Sequence, residues 1–409
     1  MFIRIQDLRS NKKFLVFLLF IGWTLSYHDR YIINFAVPFI EEEFKFDAAT
    51  QGMILSSFFA GYALMQIPAG WLADKYGIRN TLLVSIFMFS LFTAFTGMAW
   101  SVASLIAIRF IFGMGESGLA IGGVKANAIY FAKKKRARVM SILITAQALS
   151  LALAPIIAAP LILWIGWRSM FILLGFLGFL MIIIYWLFIP SSDEKTKSEK
   201  DNPKVPLKEL LLNPILLKIF VLNFCINILL WGFLSWLPSY MLNVQNLDVL
   251  DAGILSSLPG FAGVVGVLLS GWLADKFFNN REKLLVILGI LVAIISLFLM
   301  IFTQSLVLIV ISQITLILSI KFAWLAMWAM PLKMLDSNVM GSASGMINLG
   351  SQLAGIVSPI TMGFLISGFN GSYNAAFVFL IVVAIISGVI STTVNSGKSL
   401  KPKNTVESL

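Results

Sequence analysis

The chain has 409 residues, of which 59% are hydrophobic and only 12% charged, and its mean hydropathy is +0.92. This composition excludes a soluble globular domain and requires an integral membrane protein. A single cysteine, Cys225, excludes a disulfide within the chain and any cysteine-based zinc or redox site.

Apolar runs long enough to cross a bilayer as helices recur at about 14–40, 50–73, 81–100, 102–131, 139–162, 169–189, 214–241, 250–273, 284–302, 305–331, 340–366 and 374–394. The first is long, retains polar residues and lacks a small-residue cleavage site, so it reads as a retained span rather than a signal peptide. It contains SYHDRY at 26–31, which holds the only histidine, His28, beside Asp29 and Arg30.

The net charge of +11 is explained by position. With the N-terminus in the cytoplasm, the clusters Lys12/Lys13, Lys75/Arg79, Lys133 to Arg138, Lys195 to Lys208, Lys276/Arg281/Lys283 and Lys398 to Lys403 all fall inside. The outer loops keep little more than Lys45 and Arg168 among Glu41, Glu42, Glu43, Asp47, Asp248 and Asp251. This positive-inside asymmetry accounts for the charge with a lipid bilayer, and no nucleic acid, as partner. Both termini are then expected on the cytoplasmic side of a cytoplasmic (inner) membrane.

Residues 69–75, AGWLADK, recur as SGWLADK at 270–276, and the preceding residues also align, Gly52 with Gly253 and Ser56 with Ser257. The chain therefore divides into two similar halves, 1–189 and 214–409, joined by a charged, proline-punctuated linker at 190–213. The predicted fold is an all-α membrane protein of twelve transmembrane helices in two pseudo-symmetric six-helix bundles. Parallel repeats of this kind, with a binding site near the midplane between them, are the architecture of the major facilitator transporters.

GWLADKYGIR at 70–79 closely resembles the loop signature of that superfamily between its second and third helices. Gly70, Asp74 and Arg79 are thereby candidate gating residues, with Asp74 expected to meet a helix N-terminus and a nearby arginine. Asp275 is the matching carboxylate of the second half, in a degenerate copy where Phe278 replaces the glycine. GMGESG at 113–118 fits a dinucleotide-loop pattern, but it lies inside an apolar span without a preceding strand, so its glycines read as helix packing and no cofactor is expected.

Asp29, Arg30, Arg109, Glu116, Lys125 and Lys321 are ionisable residues inside predicted spans. Each costs about 2.5–3.5 kcal/mol on insertion scales, which makes function their default reading. Arg109 and Glu116 are seven residues apart and share one helical face. Burial and a neighbouring arginine act oppositely on a carboxylate's proton affinity, so such a pair is placed to exchange a proton. Lys125, nearer the cytoplasmic end, reads as snorkelling towards the headgroups. His28 sits about 100° around the helix from Asp29 and reads as facing a neighbouring helix or a water rather than relaying protons.

Asp29-Arg30 in the first span, with Arg109-Phe-Ile-Phe-Gly113-Met-Gly-Glu116 in the fourth, resembles the anion:cation symporter branch of the superfamily. That branch includes bacterial sugar-acid importers and the animal vesicular glutamate and sialic acid transporters. The resemblance implies proton-driven uptake of an organic anion by a functional monomer, with no catalytic set, cofactor or metal. It implies that Asp29 and Glu116 exchange protons, that Arg109 tunes them and that Arg30 holds the substrate carboxylate. It also implies that Tyr27, Tyr62, Gln147, Trp328 and Asn348 line the substrate site.

Protons are preferred to sodium because the carboxylates come with arginines rather than with clustered oxygen ligands. An exporter of an organic acid or an anionic metal chelator would share the fold and remains the alternative.

Lys321 lies seven residues before Trp328 on the same predicted face, and is expected to bind a second acidic group of the substrate, which makes the ligand a di- or polycarboxylate or an acid with a distal anionic group; snorkelling or pairing elsewhere is the alternative. The apolar neighbours Leu325, Ala326 and Met327 argue against a plain sugar acid.

Overall fold

The computed structural model describes residue 9 and residues 11–190, 213–277, 281–334 and 337–394. Most of the expected linker and the C-terminal tail lie outside them. Among the described residues there are eleven α-helices: α1 Lys12–Phe44, α2 Ala48–Tyr76, α3 Ile78–Gly97, α4 Val102–Tyr130, α5 Lys133–Phe188, α6 Pro214–Asn243, α7 Val249–Phe277, α8 Glu282–Phe302, α9 Leu306–Met334, α10 Ser337–Gly368 and α11 Tyr373–Thr393. Ten are long and apolar enough to cross a membrane. The exception is α1, whose hydropathy is diluted by its own charged centre.

The helix ends follow local chemistry. Asn11 caps α1 by accepting from the amides of Lys13 and Phe14, and Asp47 caps α2 through the Thr50 amide at 3.0 Å. Ser101 and Ser104 form a reciprocal capping box at the start of α4, and Asn213 followed by Pro214 opens α6.

The 56-residue α5 joins two runs that the sequence separates at 162–169, and Gly166 (φ 77°, ψ 160°) breaks its helical geometry. A positive φ at that position suits glycine. The two limbs return to the same end of the molecule, where the Tyr130 hydroxyl, just before α5, donates to the Pro190 carbonyl, just after it, at 3.0 Å.

The first five helices pack on one another, α1 against α5, α2 against α4, and α3 against both α4 and α5. The last six do likewise, with α6 on α10 and α11, α8 on α9 and α11, and α7 on α9. The two sets meet along α2/α10 and α5/α7, with α1 against α6.

Contact between the sets is closest at the end that carries Glu43. A Cβ added to Gly52 would lie 2.4 Å from the Pro359 carbonyl oxygen, and one on Gly363 2.4 Å from that of Ala48. Polar contacts tie the same region, with Gln51 donating to Ser239 at 2.8 Å and Ser56 to the Ile356 carbonyl at 2.7 Å. At the opposite end, which carries Asp74, Gly70 of α2 and Gly345 of α10 have nothing within 4 Å of an added Cβ. Among the described residues, the two sets are sealed at the Glu43 end and parted at the Asp74 end.

Candidate functional site

A cavity of about 420 Å³ lies between the two sets of helices. That is within the range of small-molecule sites. Tyr27, Arg30, Tyr62 and Gln147 line it from the first set, and Lys321 and Asn348 from the second. Six of the seven residues expected to bind substrate therefore share one cavity.

Trp328 is the exception. Its neighbour one turn earlier, Trp324, forms the wall, and the two rings pack edge to face at 6.1 Å. Spacing placed Trp328 on the side of α9 that carries Trp324, but of the two only Trp324 reaches the cavity wall.

Arg30 donates through Nη2 to Glu116 Oε1 at 2.6 Å, and Ser26 donates to the same oxygen at 2.8 Å. The expected partner of Glu116 was Arg109, and the structure corrects this. Seven residues along a helix is a rise of about 10.5 Å, too far for direct pairing, whereas α1 brings Arg30 across to Glu116.

The Arg30 guanidinium is also enclosed by the rings of Tyr27, Phe58 and Tyr62, with its central carbon 4.5, 4.7 and 5.0 Å from their centroids. Cation–π attraction of this kind strengthens as water is excluded. Arg30 is nonetheless a cavity-lining residue, so the guanidinium that holds Glu116 also borders the cavity.

Arg109 is 1% exposed and makes no ion pair among the described residues. Its guanidinium lies over Phe112 at 4.3 Å and over Phe58 at 5.8 Å. Asp29 and Glu116 supply the opposing charge without touching it. Asp29, also 1% exposed, accepts from Thr93 Oγ1 at 2.8 Å, and its other oxygen has no partner. His28 is buried with Nε2 unpartnered and is absent from the cavity wall.

Close packing of α2 on α4 builds the ring enclosure. A Cβ on Gly113 would meet the Phe58 carbonyl oxygen at 2.1 Å, so glycine in GMGESG lets Phe58 approach both arginines.

At the open end, Lys125 donates to Asp74 at 2.6 Å and to the Gly70 carbonyl at 2.7 Å. Lys125 thus does not snorkel to the headgroups but reaches α2. The expected partners of Asp74 are corrected as well. Arg79 donates to the Trp186 carbonyl instead, and no side chain caps α3. Asp275 lies in α7, with its side chain outside the described residues.

Several site residues escaped sequence reading. Ser26, Phe58 and Thr93 contact the charged groups, and Gln66, Trp324 and Gln352 line the cavity. Nothing distinguishes one phenylalanine or one small hydroxyl in an apolar span until the helices are assembled.

The sequence profile described as Major Facilitator Superfamily matches residues 19–359. The chain belongs to this superfamily. It is a family of transporters, not enzymes.

Similar proteins include a probable galactarate/D-glucarate transporter of Bacillus subtilis, 27% identical over 92% of this chain and 91% of its own. A probable sulfoacetate transporter of Cupriavidus necator is 29% identical over 91% of each chain, and the hexuronate transporter of Bacillus subtilis 26% identical over 93% and 94%. Among solved structures, an inward-facing, occupied bacterial homolog to the human lysosomal transporter Spinster superposes with a TM-score of 0.83 at 19% identity. It covers 96% of this chain and 99% of its own. The D-xylose-proton symporter gives 0.77 at 15% identity, covering 94% and 99%. At these identities, the structures establish the all-helical superfamily fold.

Proposed function

We propose that this protein is a proton-coupled symporter that imports an organic anion by alternating access. The observation that carries the reading is the position of Arg30, a cavity-lining cation held by the buried carboxylate Glu116. A substrate carboxylate that takes Arg30 leaves Glu116 without its cation, in a site where an isolated charge is costly. Glu116 then takes a proton, so loading the anion loads the proton. Asp29, with one unpartnered oxygen and Arg109 nearby, is the second proton-exchanging group, and Arg109 tunes both. The names of the relatives, transporters of sugar acids and of a sulfonated acid, support an anionic cargo.

The topology follows from the same reading. Breaking α5 at Gly166 and counting α1 gives twelve spans in two six-helix bundles, 1–189 and 214–409, joined by the linker at 190–213. The Asp74 end carries most of the basic residues, so the positive-inside rule makes it cytoplasmic, together with both termini. The conformation is then open to the cytoplasm, with Gly52 and Gly363 sealing the outer end. Gly70, Asp74, Arg79 and Asp275 are assigned to gating at the inner end, and the functional unit is a monomer.

The test is uptake of labelled sugar acids and dicarboxylates into proteoliposomes under an imposed inward proton gradient. Wild type should accumulate at least one anion, Arg30→Ala should carry none, and Asp29→Asn and Glu116→Gln should exchange without accumulating. Gradient-driven efflux only, or no anion moved, would overturn the importer reading.

A further inference from the structure

Three cations line the cavity among the described residues, and two are already neutralised. Arg30 pairs with Glu116, and Lys125 pairs with Asp74. Lys321 makes no hydrogen bond or ion pair among the described residues. Its nearest aromatic neighbour is the Trp324 ring, at 5.9 Å.

Snorkelling does not explain this lysine. It sits near the middle of α9, about 20 Å from either end at 1.5 Å per residue, beyond the reach of its stem. The fold also makes room for it. A Cβ on Gly266 would lie 3.2 Å from the Lys321 Cβ, and one on Gly263 3.7 Å from its Cε, so the stem lies along these two glycines of α7. An unpaired ammonium, placed in a cavity by a dedicated groove, is a site for an anion.

The part of the cavity wall built by α10 supplies hydroxyl partners. Asn348, Ser351 and Gln352 project from one face of α10 into the cavity, and the Gln352 Oε1 is buried without a partner. This amends the expectation drawn from Leu325, Ala326 and Met327: of these, Ala326 and Met327 are fully buried and none lines the cavity, and polar residues of α10 face it instead.

We propose that the transported anion is a hydroxylated dianion, with one acidic group on Arg30 of the first bundle and the other on Lys321 of the second, and its hydroxyls along α10. This rests on the anion-symporter reading above. It adds a charge count. Once Glu116 is protonated, Arg30 and Lys321 present two positive charges, and a dianion neutralises both whereas a monoanion leaves one buried and unpaired. Each end also engages a different bundle, so only a ligand charged at both ends draws the bundles together.

The experiment compares three six-carbon acids, D-glucarate, D-gluconate and adipate, as competitors in counterflow by proteoliposomes of wild type, Lys321→Ala and Lys321→Arg. Wild type should prefer D-glucarate over D-gluconate by at least tenfold in half-inhibitory concentration, and D-glucarate over adipate. The glucarate-to-gluconate preference should fall at least tenfold in Lys321→Ala and be retained in Lys321→Arg, which also shows that the altered site still folds. Equal use of D-gluconate by wild type, or a Lys321→Ala loss that falls equally on both acids, would overturn the dianion assignment while leaving the anion carrier intact. If no acid exchanges in wild type, the carrier reading itself falls and this inference with it.

Discussion

Arg30 and Glu116, 86 residues apart in sequence, meet at 2.6 Å with side chains only 6% and 2% exposed. Breaking such a pair from one side strands a charge in an apolar interior and costs about 3–5 kcal/mol. Glu116→Ala and Arg30→Gln should each lower the melting temperature of the purified protein strongly, and the double variant should recover part of the loss. Thermal unfolding in detergent checks this; additive losses would mean that the two residues are not coupled.

The Lys125–Asp74 pair differs because its side chains are 29% and 60% exposed. Exposed pairs contribute at most about 1 kcal/mol. Asp74→Asn and Lys125→Ala should therefore leave the melting temperature nearly unchanged while reducing the exchange rate several-fold, because the pair joins α2 to α4 at the open end. Stopped-flow counterflow beside thermal unfolding separates these outcomes, and a large melting shift with normal exchange would make the pair purely structural.

Gly52 lets α2 approach α10 closely. Even a methyl group would sit 2.4 Å from the Pro359 carbonyl oxygen, so the backbone must move. Gly52→Val should part the helices at the Glu43 end. A Ser56→Cys reporter in a Cys225→Ser background, buried at 2% exposure when this end is sealed, should then be labelled at least tenfold faster from that side. Unchanged labelling would show that the seal does not depend on this contact.

Beyond the apolar part of α1, hydrogen bonds from Arg168 hold the Glu43 carboxyl below the ordinary carboxylate range, despite some opposing desolvation. A lowered folded-state value stabilises above the unfolded value, about pH 4.3 for Glu, and the contribution is lost as pH falls through the lower folded value. Wild type should melt above Glu43→Gln at pH 6, and the two curves should converge as the pH drops below 4. A constant difference across that range would remove Glu43 as the titrating group.

Much of this was legible in the primary structure, for identifiable reasons. Hydropathy gives the long apolar helices, because bilayer thickness fixes helix length, and the AGWLADK repeat is the sequence feature from which two halves are proposed. Asp29, Arg30 and Glu116 stand out because charge inside a span is rare. Their partners were not legible. Spacing along α4 places Arg109 and Glu116 on one face but does not reveal that α1 crosses at the level of Glu116. For the same reason Lys125 read as a headgroup lysine until α2 brought Asp74 to it. Periodicity put Trp328 on the face of Lys321, yet which ring of that face meets the cavity depends on how both bundles assemble, and Trp324 forms the wall.

The central claim is that substrate and Glu116 compete for Arg30, with a proton replacing the cation on Glu116. It is tested most directly by measuring net proton uptake when purified protein binds D-glucarate in weakly buffered detergent solution. The account predicts proton uptake on binding near neutral pH, absent in Glu116→Gln. Binding without proton uptake, or the same uptake in Glu116→Gln as in wild type, would contradict it.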